Sequence, residues 1–338
     1  MVVLAGCSSS FLGPDPPETP EVLFEAFWES YDRYYAHFEL KGIDWDATYA
    51  RHRPKITEQT TEDELFEIFS EMIQELEDGH VYLVAGDRRA FSDRHLRGGR
   101  RNFDSQAIQQ NYLRESADEA GEGNMLYGSV GENIGYLRLS TLSGGHGTGS
   151  RLGGWVEDID FVLEQFSEKD GLVLDLRNNG GGRAYNTKFL ASRFATEKIP
   201  FVVTRSRNGP NHDDFSAPKT WYITPFDGPI FHRPVVILTN RYSFSAAEWL
   251  TLALREFDHV THMGTHTGGG LAMFLPRELP NGWTHTVSVQ DTRSPDGRSF
   301  ERVGVAPHHF LEIEEEDELD GRDTILEEAI KFLNSQAR

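Results

Sequence analysis

Ser245 stands where a strand, a turn and a helix should meet. Val235-Val-Ile-Leu-Thr-Asn240 reads as the end of a buried strand, Arg241 to Phe244 as a short turn, and the segment over 244–256 as a helix. A hydroxyl at the mouth of a helix faces the positive end of the helix dipole, which favours negative charge developing on a nucleophile. The same letters also fit an S-x-x-E capping box, Ser245 with Glu248, which needs no chemistry. A second segment runs from Gly171 through Leu-Val-Leu-Asp-Leu to Arg177-Asn178-Asn179-Gly180-Gly181-Gly182. Here an apolar strand enters three glycines. Glycine lets backbone N–H groups approach a ligand closely, as an oxyanion site requires; a plain tight turn would look the same.

Two further residues have the right chemistry. His80 follows an amphipathic helix at Glu77-Asp78-Gly79-His80, where it can act as a base or simply bind the last carbonyls of that helix. Glu301 precedes Arg302-Val303-Gly304-Val305-Ala306-Pro307, where it can orient a histidine or be an ordinary loop carboxylate. His259, His262, His266, His308 and His309 are close in sequence but show no H-E-x-x-H helix, so no metal and no cofactor is expected.

The elements that must position these residues are legible from periodicity. Residues 21–40 predict a helix, with Leu23, Phe24, Phe27, Trp28 and Tyr31 on one face. Asp44-Trp45-Asp46 opens a short helix that ends near Pro54, and Thr61 caps a third with Leu65, Ile68, Phe69, Met72, Ile73 and Leu76 in one stripe. Residues 85–124 read as a polar excursion. Strands are predicted over 125–130, 134–139, 171–176, 200–205, 234–239, 259–263, 271–275 and 284–290, and helices over 153–168, 185–195, 244–256 and 322–335. Such alternation predicts an α/β core with a partly parallel sheet over 125–338, preceded by a helical subdomain over 21–84. The acidic run 312–320 reads as a solvated surface segment.

The 338 residues carry a formal charge of −21, with 54 acids against 33 bases, which repels phosphate backbones and argues against nucleic acid as a partner. Cys7 is the single cysteine, so no internal disulfide forms. It sits in Leu4-Ala5-Gly6-Cys7-Ser8, which resembles the lipobox of bacterial lipoproteins, and a Ser- and Pro-rich tether over 8–20 follows. That reading places the chain in the cell envelope, periplasmic or at the outer membrane, held to a membrane only through a lipid on Cys7.

Taken in order, L-E-D-G-H (76–80), G-Y-L-R-L (135–139), L-D-L-R-N-N-G-G-G (174–182), S-F-S-A-A-E (243–248), G-T-H-T-G-G-G (264–270) and E-R-V-G-V-A-P (301–307) resemble the C-terminal processing peptidases and the tricorn protease core. The resemblance spans about residues 21–315. It implies a crotonase/ClpP-like core of stacked ββα units and two catalytic styles. The processing peptidases use a Ser–Lys dyad, but Gly270 takes the lysine position here and no lysine occurs between Lys219 and Lys331. The tricorn-like style implies Ser245 as nucleophile, His80 as general base and Glu301 as its orienting acid, with Gly180, Gly181 and Ala246 lining the oxyanion hole. A histidine base implies a rate that rises through pH 6–7.

Three departures accompany the match. Gly79 replaces the hydroxyl residue that precedes the tricorn histidine, His308 replaces an aspartate, and 85–124 is too short for the PDZ domain that processing peptidases carry. The expected partner is a peptide or unfolded protein as substrate; a homo-oligomer is left open. Two other readings of the same core remain, a non-catalytic binding protein and a crotonase-like acyl-transfer enzyme.

Overall fold

Threonines open the two long helices of the N-terminal region. Thr19 and Pro20 start α1 (Pro20–Tyr34), and Thr61 with Glu64 forms a reciprocal capping box. The computed structural model describes residues 17–93, 103–113, 116–144 and 154–336. Cys7 and most of the tether lie outside the described residues. Two compact units divide the chain: the first holds 1–97, 205–217 and 272–291, the second 98–204, 218–271 and 292–338.

In the first unit, α1 is followed by α2 (Phe38–Lys41), α3 (Trp45–His52) and α4 (Glu62–Gln74). The helix predicted over 21–40 breaks at Tyr35, whose φ of −69° and ψ of 129° are extended. Ala36 N–H then leaves the helix to donate to Ser288 O at 2.8 Å. The faces of α1 and α4 bury Phe24, Phe27, Tyr31, Phe69 and Met72, with Phe27 stacked on Phe69 at 4.0 Å. A hairpin of β1 (Tyr82–Ala85) and β2 (Arg88–Phe91) follows.

The second unit contains α5 (Ser105–Ile108), β3 (Asp118–Ala120), β4 (Met125–Val130), β5 (Ile134–Leu139), α6 (Trp155–Gln165), β6 (Gly171–Asp175), α7 (Ala184–Ser192), β7 (Ile199–Ser206, ending in the first unit), β8 (Lys219–Ile223), β9 (Val235–Thr239), α8 (Ala246–Leu254) and β10 (Val260–Gly264). Every residue of β6 and β9 is buried, and β5, β6, β9 and β10 run parallel in that order. Strands covered on both faces read as unbroken apolar runs, which is why G-L-V-L-D and V-V-I-L-T were legible.

Two further strands complete the first unit: β11 (Phe274–Glu278), three residues later than expected, and β12 (Thr284–Ser288). Its sheet order is β11-β12-β1-β2, and all five residues of the edge strand β11 are exposed. After β13 (Gln290–Arg293), β14 (His309–Phe310) pairs parallel to β10, so the larger sheet runs β14-β10-β9-β6-β5-β4-β3. The acidic run carries α9 (Glu315–Leu319), with no buried residue, before α10 (Thr324–Gln336). The fold is mixed α/β with an N-terminal helical region. No described helix is long and apolar enough to cross a membrane.

A buried ion network fixes the end of β6. Arg177 donates to Asp175 through Nε and Nη2 (3.0 and 2.6 Å) and through Nη1 to Asp323, 2.7 Å away. Tyr136 Oη donates to Asp175 at 2.9 Å, and Asp323 in turn accepts from Leu326 N–H at the start of α10. Both carboxylates are buried with the guanidinium, which one or the other meets on each flank.

Candidate active site

Ser245 has φ 58° and ψ −121°, a conformation that non-glycine residues rarely adopt. Helix α8 begins at the next residue, so the serine sits on a sharp strand-to-helix turn. The Ser245 hydroxyl makes no cap bond. Instead Glu248 Oε2 accepts from Ser245 N–H at 3.0 Å, so only the glutamate half of the expected capping box is present. The hydroxyl is left for other use.

The glycine turn presses against this elbow. A Cβ on Gly181 would come within 2.7 Å of Ser245 Cβ and 2.9 Å of Ala246 N, and φ of Gly181 is 96°. Only glycine satisfies both constraints. The turn is tied down by Asn179, whose backbone O accepts from Phe244 N–H at 2.9 Å, and by Asn240, whose side chain exchanges bonds with Asn178. Asn179 Oδ1 also accepts from Gly181 N–H at 2.9 Å. The N–H groups of Gly180 and Ala246 are not engaged among the described residues, and space beside Gly180 is open within 4 Å.

Glu248 does more than the capping reading foresaw. It is fully buried and accepts from Thr267 Oγ1 (2.6 Å), Gly269 N–H (2.7 Å) and Gly270 N–H (2.8 Å) as well as from Ser245. One carboxylate therefore clamps the elbow to the 267–270 segment. Burial pushes its pKa up to about 7, against the pull of these donors and with the help of the nearby Glu301 charge. A side chain at Gly270, where the resemblance puts a lysine, would overlap the Phe244 ring. Glu248→Gln should turn an acceptor into a donor facing backbone N–H groups. We expect a loss of about 2–4 kcal/mol in urea unfolding, since each unmet buried group costs about 1–3 kcal/mol, together with slower turnover.

Glu301 lies in the same unit, largely buried, and its Oε2 accepts from Leu271 N–H at 3.1 Å. It is not an exposed loop carboxylate. His80 belongs to the first unit. Its backbone N–H donates to Asp78 Oδ1 at 2.9 Å, and its carbonyl accepts from Thr286 Oγ1 at 2.6 Å. Its ring stacks on Phe274 with centroids 5.0 Å apart. Beneath the turn, Asp78 Oδ2 accepts from Tyr35 Oη at 3.0 Å and from Lys41 Nζ at 3.4 Å. Burial lowers the His80 pKa to about 4, opposed by Asp78 and assisted by His37 and Lys41. The expected titration at pH 6–7 therefore moves toward acid. Asp78, Lys41 and Thr286 were not anticipated as supports. The strand histidines serve structure instead: His262 bonds Thr239 Oγ1 at 2.7 Å, and His308 Nδ1 accepts from His262 N–H at 3.2 Å.

Comparison with known proteins bears on the family and the fold. Residues 133–310 match the model of peptidase family S41, and residues 16–74 that of the tricorn protease C1 domain. The carboxyl-terminal-processing protease of Synechocystis is 30% identical over 185 residues, 54% of this chain and 39% of that protein. The chain thus spans well under half the length of that relative. A solved structure from Parabacteroides merdae ATCC 43184 is 34% identical, with a TM-score of 0.84 over 94% of this chain and 97% of that one. Mature CPAF shares the fold at 14% identity, with a TM-score of 0.72 over 94% and 98% of the two chains. With the family model covering more than half of its length, the chain belongs to peptidase family S41.

Proposed function

We propose that the protein is a serine endopeptidase in which Ser245 attacks the scissile carbonyl, His80 takes and returns the proton, and Glu301 orients the imidazole. The observation that carries the reading is Ser245 at φ 58° with its hydroxyl unused by the helix cap and the glycine turn pressed against it. Gly180 and Ala246 N–H groups are the proposed oxyanion donors. Gly181 supplies shape rather than a hydrogen bond, since Asn179 already holds its N–H. A lysine dyad is disfavoured by the fit of Phe244 over Gly270. A fluorophosphonate probe should label the native protein on Ser245 alone; label elsewhere, or none, would remove the serine mechanism.

Glu301 has its own test. Glu301→Gln keeps the shape but removes the charge that stabilises an imidazolium. Turnover should fall by a factor on the order of 10⁴, the size seen when a triad acid becomes an amide. A change below about twofold would leave Glu301 a structural carboxylate that accepts from the Leu271 backbone N–H.

We further propose that Cys7 carries a lipid that holds the enzyme in the cell envelope. The natural precursor, expressed in a bacterial host, should partition into detergent, and Cys7→Ser should release it. Abundant unmodified protein in the soluble fraction would overturn this.

A further inference from the structure

Among the described residues, no strand pairs with the outer edge of β11. In the ladder with β12, Val289 N–H donates to Met273 O at 2.9 Å and Leu279 N–H to Trp283 O at 2.8 Å. Antiparallel pairing alternates, so Met273, Leu275, Arg277 and Leu279 bond inward. Phe274, Pro276 and Glu278 turn their backbone groups outward. Pro276 has no N–H, so this edge offers two donors and three acceptors. The strand's start is also apolar: Met273, Phe274 and Leu275 are 47%, 38% and 44% exposed. An open edge beside contiguous exposed apolar side chains marks a surface for another chain.

We propose that β11 is the docking strand for an extended peptide, which adds antiparallel along this edge with an apolar side chain beside Phe274 and a basic one beside Glu278. The proposal rests on the peptidase reading and names the substrate class. Phe274 and Glu278 lie on one face of the strand, four residues apart, so the matching pair is spaced by four as well. Antiparallel addition puts the basic residue first, giving a basic-x-x-x-apolar pattern. Phe274 also stacks on His80, so the strand that receives the peptide is the one that covers the proposed base.

Charge and hydrogen bonding both favour a peptide over a second copy of this chain. A second copy brings the same net charge of −21, whereas a basic residue is drawn to Glu278. Two β11 strands paired about Pro276 would face two residues without N–H groups and lose both central bonds. A peptide loses only one.

The test uses the full chain carrying Ser245→Ala, so that binding is read without turnover. The probe is a fluorescein-labelled peptide, Gly-Thr-Lys-Thr-Val-Thr-Phe-Thr, followed by anisotropy. N-methylation of the valine, whose N–H would donate to Pro276 O, should weaken binding about tenfold or more. N-methylation of an adjacent threonine, whose N–H points away, should change it by less than about twofold. Glu278→Lys, an exposed change checked for fold by circular dichroism, should weaken the lysine peptide and favour its glutamate counterpart, each by about tenfold. Absence of binding, indifference to valine methylation, no exchange of preference with Glu278→Lys, or an edge-to-edge dimer of the free protein in sedimentation would each overturn the proposal. None of these results depends on whether Ser245 is the nucleophile, which probe labelling decides separately.

Discussion

Ser245→Ala should abolish hydrolysis and leave a folded protein. The expected loss in turnover is on the order of 10⁶, the scale measured when a serine protease loses its nucleophile. The structural cost should be small, because the hydroxyl makes no cap bond and Glu248 still accepts from the residue 245 N–H. Backbone strain gives a sharper contrast. Alanine at φ 58° keeps the strain of the native serine, while glycine relieves it. Ser245→Gly should therefore be equally inactive yet about 1 kcal/mol more stable than Ser245→Ala. Peptide turnover and urea unfolding of the two variants decide it. Retained activity in either, or inactivity explained by unfolding, would end the assignment.

His80→Ala should cost as much in turnover, again on the order of 10⁶. The pH profile supplies the specific signature. The base works when neutral, and burial lowers its pKa to about 4. The rate of the native enzyme should thus rise with pH through about 4 and be flat by 6.5, where a solvated histidine would still be titrating. His80→Ala should remove that limb. Stability follows the same shift. The folded pKa lies below the unfolded value of 6.5, so the folded protein resists protonation. This contribution is fully present above pH 6.5 and is lost as pH falls from 6.5 to about 4. An acid limb near 6.5, or one that survives in His80→Ala, would contradict the burial of the ring against Phe274.

The parts of the fold that were legible are those whose cause is local. β6 and β9 are apolar throughout because both faces are covered, and α4 announces itself through Thr61, Glu64 and an unbroken stripe. β11 was misplaced by three residues because Pro276, Arg277 and Glu278 carry no strand signal; its register comes from β12. β2 was hidden in the polar excursion because Arg88-Arg89-Ala90-Phe91 is paired through a tight hairpin rather than buried. At the site, the serine and the glycine turn were visible as types at the right junctions. The role of Glu248 was only half visible: the capping letters lie within one turn of helix, but its other donors, Thr267, Gly269 and Gly270, come 19–22 residues later. The engagement of Gly181 by Asn179, and the displacement of the His80 titration, depend on contacts that no spacing encodes.

The ion network behind the glycine turn also sets a timetable. Arg177 needs Asp323, a residue 146 positions further along, before its second flank is met, and Asp323 is itself held by the first turn of α10. A guanidinium buried against Asp175 alone would leave donors without acceptors, a costly arrangement. On a ribosome, the glycine turn after Arg177 thus stays unsecured until at least 146 further residues have emerged.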